Sequence, residues 1–204
     1  MSEITGHFAV PLYTSHIQEP TLSLVQDEMS KVVATLKNGH LFEKHPRAEP
    51  NTHSLTDVSF SSNFIADWNL NVFAKELEEH IFNYMRGIGT PFEKVQRYRV
   101  LQSWMTMTNK DEYAPIHSHG GADLSGVYYF QTTGEDGDIF FNSPNVQQEH
   151  AHSFEHLPAW HSSKPEVGKI MLFPGWIRHG TRTNTTTNER ISLSFNIVFD
   201  RGYF

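Results

Sequence analysis

Two segments in the first half of the chain carry apolar residues at helical spacing. One runs from Thr21, a candidate N-cap, to about Leu36 and stops at Asn38-Gly39; the other runs from about Asp67 to Met85. Such stripes predict two amphipathic helices that pack on a sheet. The apolar positions are Leu22, Val25, Met29, Val32, Val33 and Leu36 in the first helix, and Leu70, Phe73, Leu77, Ile81 and Met85 in the second.

The segments around these helices lack a regular apolar pattern. Residues 7–14 predict a short strand or extended arm that is interrupted at Pro11, and residues 38–63 predict a long irregular loop rich in turn residues. Neither segment suggests a separate domain. We therefore interpret residues 1–94 as a helical support that packs on the rest of the chain.

The pattern changes near residue 95, where strands and turns replace helices. Clusters of Gly, Pro, Asn and Asp separate five predicted strands, at residues 95–108, 125–131, 138–142, 169–173 and 191–199. Short strands with such turns are typical of a β-sandwich or barrel. The fold class is therefore mainly β with supporting helices, with residues 95–204 as the β core of one structural domain.

The segment between the predicted strands at 143–168 is rich in histidine and lacks a regular element. Two hypotheses remain for it, a second metal site or a mobile loop over the mouth of a pocket. We favour the loop, because no two of its histidines lie in a predicted strand or helix. These histidines are His150, His152, His156 and His161.

Two histidines one residue apart, His117 and His119, precede a Gly-Gly turn and a strongly β-forming run. Residues i and i+2 of a strand point to the same face, roughly 7 Å apart. Two imidazoles placed in this way can share a metal ion if a third ligand arrives from elsewhere, and His179 is the best candidate. The chain has 13 histidines, so the pair alone is a weak signal.

Composition limits the chemistry and the partners. The chain has no cysteine, so a metal would be held by His, Asp or Glu. A net charge of −7 argues against non-specific binding to nucleic acid. No apolar run approaches the length of a membrane span, and the N-terminus lacks the basic and apolar segments of a secretory signal, so we expect a cytoplasmic protein without a membrane anchor.

Residues 95–200 resemble the iron(II)- and 2-oxoglutarate-dependent oxygenases of the prolyl-hydroxylase-like branch. The pattern in that family is His-x-Asp or His-x-Glu, then a distal His, then an Arg a short interval later. This chain has His117-Ser118-His119, then His179, and Arg190 follows 11 positions after His179. Small oxygenases of bacteria and phages share its His-x-His, Ser-Gly-Val-Tyr-Tyr, His-Gly and Arg-Ile-Ser pattern.

The resemblance implies a double-stranded β-helix (jelly-roll, cupin-like) core that binds Fe(II) and 2-oxoglutarate. It implies hydroxylation of an unidentified substrate by dioxygen, with decarboxylation of 2-oxoglutarate to succinate and with ascorbate as a stimulant. The far carboxylate of 2-oxoglutarate would meet Arg190, whose planar fork suits it. Ser192 lies on the same side of the strand as Arg190, and Tyr129 adds a hydroxyl.

One position departs from the family pattern, because His119 stands where the carboxylate is expected. Three alternatives remain: a three-histidine site, a carboxylate supplied by Asp123 from across the Gly-Gly turn, or a His119 that is not a ligand. The i, i+2 spacing favours His117, His119 and His179 as the metal ligands.

Two other functions compete with the oxygenase hypothesis. The first is a cupin-type three-histidine metal enzyme that does not use 2-oxoglutarate, which would leave Arg190 and Ser192 without a purpose. The second is a non-catalytic jelly-roll module that binds a ligand or has a structural role. Fold does not choose among substrates, which range from proteins to small metabolites in this family.

Overall fold

The computed structural model describes residues 9–45, 48–57, 62–90, 97–145 and 159–200 of the chain. Within these residues three helices precede most of the strands, as the change of pattern near residue 95 predicts. The helices are α1 (Thr21–Asn38), α2 (Phe64–Asp67) and α3 (Asn71–Gly87). The strands are β1 (Tyr13–His16), β2 (Ser54–Leu55), β3 (Tyr98–Thr108), β4 (Leu124–Gln131), β5 (Ile139–Asn142), β6 (Trp160–Ser163), β7 (Lys169–Pro174), β8 (His179–Thr181) and β9 (Arg190–Phe199).

The strands form two antiparallel sheets. The large sheet has the order β1-β7-β4-β9-β3-β2 and the small sheet has the order β6-β5-β8. The segment Ala114–His117 extends the small sheet beyond β8, since Thr181 N–H donates to the Ala114 carbonyl at 3.0 Å and His117 and His179 exchange backbone hydrogen bonds of 2.9 Å. Two such sheets with crossing connections make a jelly roll, which confirms the predicted fold class.

The helices cover the outer face of the large sheet. On β9 the residues Ile191, Leu193 and Phe195 are buried in the core shared with α1 and α3, and the Phe73 ring of α3 lies 6.1 Å from that of Phe195. The alternate residues, such as Ser192, face the space between the sheets. The period of two along β9 therefore separates a helix-packed face from an interior face, as the sequence predicts.

Both predicted helices exist, but their N-termini differ from the prediction. Thr21 is the first helical residue of α1 rather than its cap; Pro20 occupies the N-cap position and makes no side-chain capping bond. The second helix begins at Asn71 instead of residue 67, because the chain adopts a positive φ of 54° at Asn69. That break separates α3 from the short helix α2.

The start of α3 is fixed by a residue of α1. The two carboxylate oxygens of Glu28 accept hydrogen bonds from the N–H groups of Val72 and Phe73, at 3.0 and 3.1 Å. A helix N-terminus has unpaired N–H groups and a partial positive charge, which a carboxylate satisfies. This cap comes from a distant segment, so local sequence patterns could not reveal it.

The five longer predicted strands are confirmed within one to three residues at their ends, although residues 95 and 96 lie outside the described residues. Three short strands lie in segments predicted to be irregular: β2 in the loop 38–63, β6 in the loop 143–168, and β8 at His179. His161 lies on the exposed strand β6, which corrects the loop prediction there, whereas His150, His152 and His156 lie outside the described residues.

The proposed division at residue 94 also falls outside the described residues and stays a prediction. The first half is more than a helical support, because β1 pairs with β7 and β2 pairs with β3 in the large sheet. No described helix is long and apolar enough to cross a membrane.

The capping role of Glu28 predicts a measurable cost of removing it. Glu28→Ala should lower the free energy of unfolding by about 1–2 kcal/mol, because the first turn of α3 loses its cap. Asp27→Ala is the matched control: its ion pair with Lys31 is exposed and worth about 0.3–0.5 kcal/mol. Urea denaturation measures both variants, and equal losses would contradict a capping role.

Candidate active site

A cavity of about 670 Å³ lies between the two sheets. Strands β3, β4 and β9 form one wall, β8 and the segment around His117 form another, and residues 48–55 contribute a third. The polar residues among those that line it are His45, Glu49, Thr52, His53, Gln102, Trp104, Thr106, His117, His119, Tyr129, His179, Thr181, Arg190, Ser192 and Ser194.

Three histidines meet in this cavity, and they are the three that the sequence predicts as a group. One ring nitrogen from each of His117, His119 and His179 lies within 4.8 Å of the others. The ring centroids are 4.9 Å apart for His117 and His119, 4.4 Å for His117 and His179, and 5.1 Å for His119 and His179. Imidazoles at these separations can converge on a single ion.

Backbone contacts orient two of the three rings. Nδ1 of His117 lies 2.7 Å from the Pro115 carbonyl, and Nδ1 of His179 lies 3.0 Å from the Ile177 carbonyl. A carbonyl can only accept, so each Nδ1 carries the proton and each Nε2 keeps its lone pair for a metal. Gly180 permits this approach, because a Cβ there would lie 2.8 Å from the Ala114 carbonyl oxygen.

His119 reaches the group by a route that differs from the prediction. It lies in a loop rather than on a strand, and its N–H donates to the Gly175 carbonyl at 2.8 Å. The side chain of Asn196, itself bonded to Ser125 at 2.7 Å, contacts the His119 ring at 3.4 Å. The tight turn at Gly175 and these side-chain contacts orient His119, so the premise of a shared strand face was wrong.

Asp123, the alternative ligand, lies outside the group of three histidines. Its carboxylate accepts a 2.8 Å hydrogen bond from the N–H of Phe199, at the far end of β9. Among the described residues, the group of side chains that could hold a metal contains no carboxylate. The geometry therefore favours a three-histidine arrangement over a contribution from Asp123.

Burial keeps the imidazoles of His119 and His179 uncharged at neutral pH. Burial, with a smaller contribution from repulsion by His117, lowers the pKa of His119 to about 3 and that of His179 to about 4. Burial also lowers the pKa of His53 to about 4, with Arg190 and His117 adding to the effect. Uncharged imidazoles present the lone pairs that a metal requires.

Arg190 begins β9 and is 2% exposed. Its Nη1 donates to the carbonyls of Asp136, at 2.8 Å, and Gly137, while its Nη2 donates to the hydroxyls of Thr108 and Thr181 at 3.1 Å each. All four Nη protons thus have protein acceptors. Burial lowers the pKa of Arg190, but a guanidinium remains charged in proteins.

Tyr129 and Ser192 are cross-strand neighbours of β4 and β9 and line the cavity beside Arg190. Burial raises the pKa of Tyr129 to about 12, so its hydroxyl stays protonated. Within the described parts of the chain, neither hydroxyl has a hydrogen-bond partner. A buried cation beside two such hydroxyls is suited to binding a carboxylate.

Several residues in or next to the cavity escaped prediction from the sequence. Thr108 and Thr181 orient Arg190 from different sheets, and His53 lines the cavity from a segment that was predicted to be an irregular loop. The strand pattern contained one signal: antiparallel pairing of β3 with β9 places Thr108 opposite Arg190. The contributions of Thr181 and His53 depend on contacts between distant segments.

Comparison with known proteins agrees with this geometry. Residues 102–196 match the family described as "Putative 2OG-Fe(II) oxygenase". No curated protein is significantly similar to the chain in sequence. The match includes the three histidines, Tyr129, Arg190 and Ser192.

Several solved structures share the fold at low sequence identity. HygX from Streptomyces hygroscopicus, with nickel and 2-oxoglutarate bound, has 13% identity and a TM-score of 0.56, with 92% of this chain and 82% of that chain covered. A prolyl-4-hydroxylase from Pseudomonas putida has 11% identity and a TM-score of 0.60, with 92% of each chain covered. EctD from S. alaskensis with bound Fe has 12% identity and a TM-score of 0.61, with 92% and 72% covered.

The fold, the histidine group and the family match agree with one another. Residues 102–196 of this chain are similar to the 2-oxoglutarate- and iron(II)-dependent oxygenases, as the motif resemblance predicted.

The packing around Arg190 yields a prediction about Gly137. Gly137 has a φ of +102°, and a Cβ there would lie 2.3 Å from the Arg182 carbonyl oxygen and 2.9 Å from Nη1 of Arg190. Gly134 also has a positive φ, +84°, but its Cβ would meet nothing closer than 3.6 Å. In chemical denaturation, Gly134→Ala should lower the free energy of unfolding by about 1–2 kcal/mol because of backbone strain. Gly137→Ala should lower it by about 1–3 kcal/mol more, because its Cβ also meets the neighbouring atoms. Equal losses would show that the space around Arg190 can adapt.

Proposed function

We propose that the chain binds one Fe(II) ion through His117, His119 and His179 and hydroxylates a C–H bond of an unidentified substrate. In this reaction dioxygen supplies one oxygen atom to the substrate and one to 2-oxoglutarate, which becomes succinate and carbon dioxide. The observation that carries the proposal is the shared cavity: the three imidazoles and Arg190 line the same 670 Å³ space.

The histidine group fits iron(II) in its chemistry. Imidazole is a suitable ligand for iron, and the Nδ1 contacts of His117 and His179 leave Nε2 free on each ring. Three ligands on one face leave the remaining positions for a chelating 2-oxo acid and dioxygen. When bound, iron(II) supplies the activation of dioxygen, and the protein supplies the position and the shielding from water.

The opposite end of the cavity fits the far carboxylate of 2-oxoglutarate. We assign Arg190, Ser192 and Tyr129 to it, because they combine a buried positive charge with two hydroxyl donors that make no hydrogen bond to a described residue. The Nη protons of Arg190 are already bonded to protein acceptors, so the expected bidentate pair with the carboxylate is changed. Arg190 contributes its charge and orients Thr108 and Thr181, while the hydroxyl groups of Ser192 and Tyr129 contact the carboxylate directly.

A cupin-type enzyme without 2-oxoglutarate is the second candidate. It is favoured by the absence of a carboxylate from the metal-binding group of the described residues. It gives no role to a guanidinium that is 2% exposed at the far end of the same cavity. The hydrogen bonds of Arg190 to both sheets would serve either candidate, so it is the position of the charge in the cavity that favours a carboxylate ligand.

The metal assignment predicts distinct effects for His119 and Asp123. Anaerobic titration with Fe(II) should give one equivalent per chain for the wild type, and His119→Ala or His179→Ala should abolish tight binding, because two imidazoles hold iron poorly. His119→Asp should retain iron, since it restores the usual ligand set of the family. Asp123→Ala is the control and should bind iron normally; loss of iron in Asp123→Ala beside normal binding in His119→Ala would reverse the assignment.

The cosubstrate assignment predicts a specific role for the Tyr129 hydroxyl. Tyr129→Phe should weaken binding of 2-oxoglutarate by roughly three- to tenfold, which corresponds to the loss of one hydrogen bond. The stability of the fold should not change, because no described residue bonds to that hydroxyl. Arg190→Leu should weaken binding at least about tenfold and should also destabilise the fold. Anaerobic titration followed by the charge-transfer band of the iron complex measures both. Wild-type affinity in Arg190→Leu would remove the case for 2-oxoglutarate.

A further inference from the structure

His53 lies at the edge of the large sheet, near the Arg190 end of the cavity. Its N–H donates to the Tyr113 carbonyl at 3.1 Å, and the next residue, Ser54, pairs with Met107 of β3. Continuation of this register places His53 level with Thr108, whose hydroxyl accepts a hydrogen bond from Arg190. The imidazole lines the same cavity as Arg190 and the three clustered histidines.

The Tyr113 carbonyl lies close enough to the imidazole of His53 to favour the protonated ring, but no hydrogen bond of ordinary geometry joins the ring to a described residue. Its Nδ1 is buried without a partner, which is uncommon for a polar atom in a folded protein. An unpaired buried N–H costs more than an unpaired acceptor, so the ring places its proton on Nε2. The ring therefore offers an N–H donor that no described group of the protein uses.

The surroundings of His53 require such a donor when a carboxylate is bound. The four Nη protons of Arg190 are already shared with backbone carbonyls and threonine hydroxyls. A carboxylate near Arg190 therefore gains attraction from the charge but few direct bonds from the guanidinium. His53 is uncharged at neutral pH, so it can stand beside Arg190 without repulsion and donate to the same anion.

We propose that His53 binds 2-oxoglutarate by donating a hydrogen bond from Nε2 to the far carboxylate, opposite Tyr129 and Ser192. This inference rests on the proposed function, because it assigns a further residue to the same cosubstrate. It gives residues 48–55 a role as the wall that closes the cavity over 2-oxoglutarate, rather than as a connection between helices.

Three substitutions at His53 test the proposal, because each places a hydrogen-bond donor at a different position or removes it. The amide nitrogen of Gln reaches the place of Nε2, that of Asn reaches the place of Nδ1, and Leu has no donor. His53→Leu and His53→Asn should weaken 2-oxoglutarate binding about tenfold, as expected for one hydrogen bond to a charged group, and His53→Gln should restore most of the affinity. Calorimetric titration of the anaerobic Fe(II)-loaded protein measures each, and thermal unfolding checks that each variant is folded.

A second ligand identifies which end of 2-oxoglutarate is contacted. 2-Oxobutyrate keeps the metal-chelating end but lacks the far carboxylate, so its affinity should be the same in the wild type and in His53→Leu. An equal loss for both ligands, no loss for 2-oxoglutarate, or failure of His53→Gln to restore binding would overturn the proposal. Absence of 2-oxoglutarate binding to the wild type would instead overturn the proposed function itself.

Discussion

Two backbone hydrogen bonds of 2.9 Å between His117 and His179 hold the candidate metal site together. They join the segment before the Gly-Gly turn to β8, 62 positions further along the chain, and they extend the small sheet to the edge of the cavity. Because the same two residues carry both the backbone bonds and the imidazoles, closure of the sheet brings the rings together. The ring centroids are 4.4 Å apart as a direct consequence.

The opposite end of the cavity depends on a buried charge. Arg190 begins β9 of the large sheet, and its guanidinium contacts Thr108 of the large sheet and Thr181 of the small sheet. Several kcal/mol, roughly, are needed to bury an uncompensated charge, and the carbonyls of Asp136 and Gly137 offset part of that cost. Under the proposed function, a bound carboxylate would add negative charge to that of Asp136 and Asp138 near the guanidinium, so binding of the ligand would stabilise the fold through Arg190.

Much of this fold could be predicted from the sequence because its long elements repeat at a regular period. The alternation along β9 separated Ile191 and Leu193 from Ser192 correctly. The three histidines converge as the family pattern implied, although the strand geometry assumed for His119 was wrong. The roles of these histidines as ligands stay predictions. Strands such as β6 and β8 have four and three residues, too few for a period to be detected.

The residues that could not be predicted share one property: their position depends on contacts between distant segments. Glu28 caps a helix 44 positions away, and His53 enters the cavity because Ser54 and Leu55 join the edge of β3. Such contacts leave no local periodicity, since each is made by one or two residues. The first half of the chain, which local patterns describe only as a support, therefore contributes a wall of the cavity itself, and any specificity that this wall provides arises from tertiary structure.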